Sequence, residues 1–245
     1  MVRKVDYDSR RKSILAAAIN RYIKEANSVS SEDLAKDFDL SPATIRNIFA
    51  ELEEEGYLTH LYTSGGRIPT NKGYRYYVDF LISQMELLEK EKEFIVKEYQ
   101  IRINKLEDIL DKTSELISEI THYAGIASVI DWQDKFFYKG LGLILEQPEF
   151  HDFQMVRFLI SLIEDKQRLL NIINRDFSEK VKVYIGEELN CPEMNGCSLV
   201  VSSYQVKNRP AGRLAVLGPM RMEYEHIIPA LGYISDVLTD VISEV

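Results

Sequence analysis

The chain has 245 residues, 45% of them hydrophobic and 28% charged, which fits one to three globular domains and excludes a collagen-like or disordered polymer. Its apolar runs, such as Leu15 to Ile19, reach about five residues against the roughly twenty of a membrane-spanning helix, and no apolar export core follows the charged start MVRKVDYDSRRK, so the cytoplasm is the expected compartment. The formal charge of −9 is uneven: residues 1–78 hold 12 basic and 11 acidic side chains and the remainder 18 and 28, which permits a nucleic-acid face on the first part of an acidic protein.

Ile14, Leu15, Ala18, Ile19, Tyr22 and Ile23 recur at helical spacing and predict an amphipathic helix over about Ser9 to Glu25. Ser30 and Asp33 have the spacing of a capping box before a short second helix carrying Leu34, Ala35 and Phe38. Ser41 suits an N-cap and Pro42 the first helical position, so a third helix starts there, buries Ile45, Ile48, Phe49 and Leu52, and ends at Gly56. Tyr57 to Tyr62 reads as a strand, Thr63 to Gly66 as a flexible turn, and Arg67-Ile68-Pro69 as a short edge return. Three helices followed by a β-hairpin make a winged helix-turn-helix. Thr70 caps a further helix whose apolar face holds Tyr74, Tyr77, Val78 and Leu81, so its tyrosines serve the core rather than stack on bases.

From about Gln84 to Thr121 the chain has neither glycine nor proline, and a long connecting helix is predicted. Tyr99, Ile103, Leu106, Leu110, Thr113, Ile117 and Ile120 alternate spacings of four and three, as in a coiled-coil seam. The six apolar or aromatic members are candidate dimerisation residues; packing of the stripe on the chain's own C-terminal domain is the competing reading. Beyond it, Ile126 to Asp131, Val181 to Ile185, Ser198 to Val206 and Arg213 to Leu217 read as strands, with Lys207 to Pro210 as a hairpin turn. Helical periodicity returns over Val156 to Ile173 and from Tyr224 to the end. The expected class is α+β, divided as 1–80, a helical linker over 81–122, and 123–245.

On the third helix, at about 100° per residue, the ridge opposite the buried stripe holds Ala43, Asn47 and Ala50, flanked by Arg46. Two alanines permit close approach to a major groove and contact with thymine methyls, an asparagine pairs with adenine, and an arginine reaches guanine or phosphate. Arg67, after the wing glycines, is placed for a minor groove or a phosphate, and Lys72 and Arg75 for phosphates or solvent. Glu51, Glu53, Glu54 and Glu55 read as a solvated helix end. Cys191 and Cys197 read as two reduced thiols, and His60, His122, His151 and His226 form no ligand pair. No nucleophile elbow, phosphate loop or dinucleotide motif is present, so neither catalysis nor a metal or cofactor is expected.

SPATIRN at 41–47, LEEEGYL at 52–58 and TSGGRIPTNKGYRYYVD at 63–79 resemble the winged-helix domain of the heat-inducible transcription repressor HrcA family. The likeness returns in LEQPEFHD at 145–152, CSLVVSSYQVKNRPAGRLAVLGPMRMEY at 197–224 and IIPALGYISDVL at 227–238. It implies a homodimeric repressor of chaperone genes on an inverted-repeat DNA operator, a GAF-like C-terminal domain and dependence on the GroEL chaperonin. Carried over, the family pattern puts Thr44, Arg46 and Asn47 at the recognition helix and Arg67 on the wing; Ser41, at the helix start, is a further candidate DNA contact. The chain departs from the family in length, with only Gly125 to Tyr138 where further GAF-like strands and an inserted dimerisation domain usually stand, so the C-terminal domain is a reduced one. It departs again at His60-Leu61-Tyr62, where the family usually has Pro-His. A ligand-sensing regulator, with a small molecule in the C-terminal domain, is the alternative reading.

Overall fold

The computed structural model describes residues 2–60, 66–81, 86–99, 105–131, 135–206 and 209–243. The chain forms two compact units, Met1–Ser83 and Gln84–Val245. Among the described residues no helix is long and apolar enough to cross a membrane.

The first unit runs α1 (Val2–Glu25), α2 (Ser31–Asp37), α3 (Pro42–Glu54), β1 (Leu58–Thr59), β2 (Ile68–Pro69) and α4 (Asn71–Leu81). Helix α1 begins earlier than the apolar spacing predicts, and its stripe of Ile14, Leu15, Ala18, Ile19 and Ile23 is buried. It meets the core-facing Leu34, Ile45, Ile48, Phe49 and Leu52 of the next two helices together with Tyr74, Tyr77 and Val78 of α4; burying each such side chain stabilises by about 1.5–3 kcal/mol. Tyr74 and Tyr77 are thus core residues. Strands β1 and β2 pair antiparallel, Leu58 with Pro69 and Thr59 with Ile68. The expected wing turn, Thr63 to Gly65, lies outside the described residues.

The second unit runs α5 (Glu89–Tyr99), α6 (Leu106–Thr121), β3 (Ala124–Val129), β4 (Phe136–Lys139), α7 (Leu141–Leu145), α8 (Phe153–Glu164), α9 (Lys166–Ile173), β5 (Val181–Ile185), β6 (Cys197–Val206), β7 (Arg209–Pro219) and α10 (Tyr224–Ser243). Its strands make an antiparallel sheet in the order β4-β3-β7-β6-β5. Alternation along β6 sends Cys197, Leu199 and Val201 into a core with Leu159, Leu162, Leu169 and Ile173 of α8 and α9. The opposite face meets α10, where the Ser202 and Ser235 hydroxyls lie 2.7 Å apart and Tyr224 donates to Ser198 at 2.7 Å. Two helical layers thus enclose one sheet. The strands match the predicted runs within a few residues, except that β4 was not predicted. Asp165 splits the expected Val156–Ile173 helix, ending α8 and capping α9 through a 3.1 Å bond from the Arg168 N–H.

The connecting helix is corrected. In one straight helix Tyr99 and Thr113 would stand about 21 Å apart at 1.5 Å per residue, yet their hydroxyls are 2.7 Å apart and buried. Lys112 likewise pairs with Glu98 at 2.8 Å. Lys105, at the N-cap of α6, is extended (φ −122°, ψ 130°), and the two contacts make α5 and α6 separate helices packed on each other. Both helices belong to the second unit, which replaces the expected separate linker over 81–122. Tyr99, Leu110 and Ile117 are buried inside that unit and Leu106 and Ile120 are half-buried, while Ile103 lies outside the described residues. Half of the stripe read as a dimer seam, Tyr99, Leu110 and Ile117, is thus spent on internal packing.

Candidate nucleic-acid interface

Helix α3 is held at its start by Ser41, whose hydroxyl accepts from the Thr44 N–H at 3.1 Å and lies 2.9 Å from the Thr44 hydroxyl. Pro42 occupies the first turn, where a missing N–H costs nothing. With Ile45, Ile48, Phe49 and Leu52 buried, the outward side presents Ala43, Arg46, Asn47 and Ala50, all exposed, with Thr44 half-buried beside them. This is the ridge predicted from helical spacing. Arg46 has no ion pair among the described residues.

The acidic end of α3 differs from expectation. Glu51 accepts from the Tyr7 hydroxyl at 2.8 Å and faces Arg11 at 4.0 Å. Glu55 pairs with Arg11, and that hydrogen bond raises the guanidinium pKa above its ordinary value. Glu53 pairs with Arg67 at 2.9 Å and contacts His60 Nδ1. Lys72 donates to the Glu55 carbonyl at 2.8 Å and lies 4.3 Å from the centre of the Tyr57 ring, so it caps the carbonyl end of α3. Three of the four carboxylates read as solvated are therefore neutralised from within the unit. Contacts between residues 44 positions apart, as for Tyr7 with Glu51, leave no local signal in a sequence.

Arg67 sits at the wing base. It exchanges two backbone hydrogen bonds with Val29, at 2.8 and 2.9 Å, and its side chain is only 19% exposed, tied to Glu53. Gly66 is required there, because a Cβ would lie 2.8 Å from the Ser28 carbonyl carbon and Val29 oxygen. At the other end of the wing, Thr70 donates to the Gly56 carbonyl at 2.7 Å and accepts from the Gly73 N–H at 3.1 Å. A Cβ on Gly73 would come within 2.3 Å of the Tyr57 oxygen, so only glycine lets α4 pack this closely. Arg75 meets Asp79 one turn on, at 3.4 Å. The predicted basic residues thus divide: Arg46 stands with the recognition ridge, while Arg67, Lys72 and Arg75 also brace the scaffold.

Comparison with known proteins covers both units. The DeoR-like helix-turn-helix domain family matches residues 16–68, and the HrcA protein C terminal domain family matches residues 127–228. Among curated relatives, the heat-inducible transcription repressor HrcA of Pelotomaculum thermopropionicum is 27% identical, with 97% of each chain covered. That of Carboxydothermus hydrogenoformans is 28% identical, covering 96% of this chain and 98% of the relative. The first alignment runs over 339 positions against 245 residues here, so roughly a hundred positions of the relative have no counterpart. A crystal structure of a hypothetical protein at 2.2 Å resolution shares the fold with a TM-score of 0.81 at 16% identity, covering 96% of this chain and 98% of the other.

Proposed function

The chain belongs to the HrcA family of heat-inducible transcription repressors, and from that premise we propose that α3 is the recognition helix of a repressor that occupies an inverted-repeat operator at chaperone genes. It acts as a DNA-binding regulator and not as an enzyme. The observation that carries the reading is the outward ridge of α3: Ala43, Arg46, Asn47 and Ala50 are exposed together on a helix whose other side is buried. Asn47 reads an adenine edge, Ala43 and Ala50 let the helix lie deep in the groove, and Arg46 reaches guanine or phosphate. Ser41 and Thr44, at the helix start, offer their hydroxyls to phosphate. Arg67 fixes the wing against Glu53 and presents it to the flanking backbone, with Lys72 and Arg75 behind it.

An inverted repeat is read by two copies related by a two-fold axis, so the repressor is a homodimer. Because Tyr99, Leu110 and Ile117 are buried inside the second unit, the dimer contact is placed on another surface of the chain. Phe153 and Ile160 on α8, 76% and 55% exposed, are apolar side chains of the kind a GroEL chaperonin captures, which supports a chaperonin contact in the cytoplasm. Repression is steric. In a reconstituted transcription reaction from a chaperone promoter with an intact inverted repeat, the protein lowers transcript and Asn47→Ala restores it; equal repression by both would remove α3 from recognition.

A further inference from the structure

The interior of the second unit holds a charge that its fold leaves unsatisfied. Arg213 on β7 is fully buried at 0% exposure, and its Nε, Nη1 and Nη2 atoms have no hydrogen-bond partner among the described residues. A buried unpaired donor is costly, and more so when charged; a guanidinium carries five donor hydrogens and keeps its proton. Burial pulls the Arg213 pKa down, the direction expected of a cation that lacks a counter-charge.

Arg213 is not the only polar group left unpaired in this part of the second unit. Arg213 lies on the same face of β7 as Ala215 and Leu217, which belong to the apolar core under α8 and α9. Its register partners on that face are Ser128 of β3 and Ser203 of β6, and the Ser203 hydroxyl is buried without a partner among the described residues. Tyr184 of β5, opposite Leu199 on the same face of the sheet, has a hydroxyl that is buried and unpartnered in the same way. The Phe177 ring centre stands 4.2 Å from the guanidinium carbon, so the ring covers one face of the cation and leaves its edge to an acceptor. Asp176, an acidic group acting on Arg213, is turned to Lys182 and to the Ser178 N–H. Phe177 and Asp176 belong to 174–180, a stretch without helix or strand between α9 and β5.

We propose that Arg213 anchors a buried site for a small carboxylate, paired bidentately with the guanidinium, assisted by the Ser203 and Tyr184 hydroxyls and covered by the 174–180 segment. One guanidinium balances one carboxylate charge, whereas a doubly charged phosphate would bring an uncompensated negative charge into an apolar interior. Occupancy would stabilise the second unit, so the site gives the repressor a chemical input separate from DNA binding; it does not rest on the α3 reading.

The test is calorimetric titration of the full chain with acetate, benzoate, benzamide and inorganic phosphate at fixed pH and salt, with melting temperature as a second readout. At least one carboxylate is expected to bind saturably below about 10 mM, the range for a ligand of few contacts, and to raise the melting temperature by roughly 3–5 °C. Benzamide, which keeps the ring and loses the charge, and phosphate are expected to do neither. Arg213→Met removes the unpaired charge at similar volume and is expected to fold and to abolish binding. Tyr184→Phe, which keeps the ring, is expected to weaken binding about fivefold, the value of one hydrogen bond. The proposal is overturned by no saturable carboxylate binding, by benzamide or phosphate matching the carboxylates, or by unchanged affinity in Tyr184→Phe or in folded Arg213→Met.

Discussion

Asn47 is exposed at the centre of the α3 ridge, and its side chain is the one on that ridge able to give and accept a hydrogen bond at a single base. Asn47→Ala is therefore expected to cost about 1–3 kcal/mol on an operator and little on random DNA; binding isotherms on both duplexes check this, and equal losses would deny base readout. Arg67 has a double duty. Arg67→Ala is expected to lower the salt slope of binding by about one unit, and also to lower the stability of the first unit by releasing Glu53. A slope identical to that of the parent would confine Arg67 to the scaffold. The ridge was legible because burial on a helix follows a fixed period, so Ile45, Ile48, Phe49 and Leu52 dictate which residues face outward. The partners of Glu51, Glu53 and Glu55 were not legible, since they come from Tyr7, Arg11, His60 and Arg67, which only the tertiary fold brings together.

At the scale of elements, caps and apolar stripes carried the most information. Ser30 and Asp33 form the expected capping box at α2: the Ser30 hydroxyl accepts from the Asp33 N–H at 3.2 Å, and the Asp33 carboxylate accepts from the Ser30 N–H at 3.0 Å and from the Ser30 hydroxyl at 2.6 Å. These hydrogen bonds, the hydroxyl's first, hold the Asp33 pKa below its ordinary value. A depressed carboxyl contributes stability above its unfolded pKa, about 3.9, and loses it as pH falls through the folded value. Ser30→Ala is thus expected to destabilise the chain by about 0.5–2 kcal/mol at neutral pH, with a gap to the parent that narrows below about pH 4. Denaturant melts at pH 7 and pH 3 measure it, and a gap that widened in acid would contradict the assignment. The α5–α6 reversal escaped sequence reading for a physical reason. A four-three apolar spacing serves a coiled coil and two helices packed within one domain equally well, and no glycine or proline marks the boundary between α5 and α6.

For the whole molecule, the uneven charge pointed to the division of labour: a nearly neutral first unit with Glu51, Glu53 and Glu55 at the end of α3 tied up by its own side chains, and an acidic second unit built on a five-stranded sheet. The winged-helix class, the α+β second unit and most strand positions were readable from periodicity and turn chemistry. The buried Arg213 was not, because an arginine in a strand reads as an outward-facing residue until the helices covering that face are known. The central claim is that two α3 helices read one palindrome. Fluorescence anisotropy at one fixed salt concentration, with the inverted repeat from a chaperonin promoter and its scrambled version, tests it most directly. The account predicts a preference for the repeat of about 10³ or more, with two chains bound per duplex. Equal affinity for both duplexes in a folded, dimeric sample would contradict it.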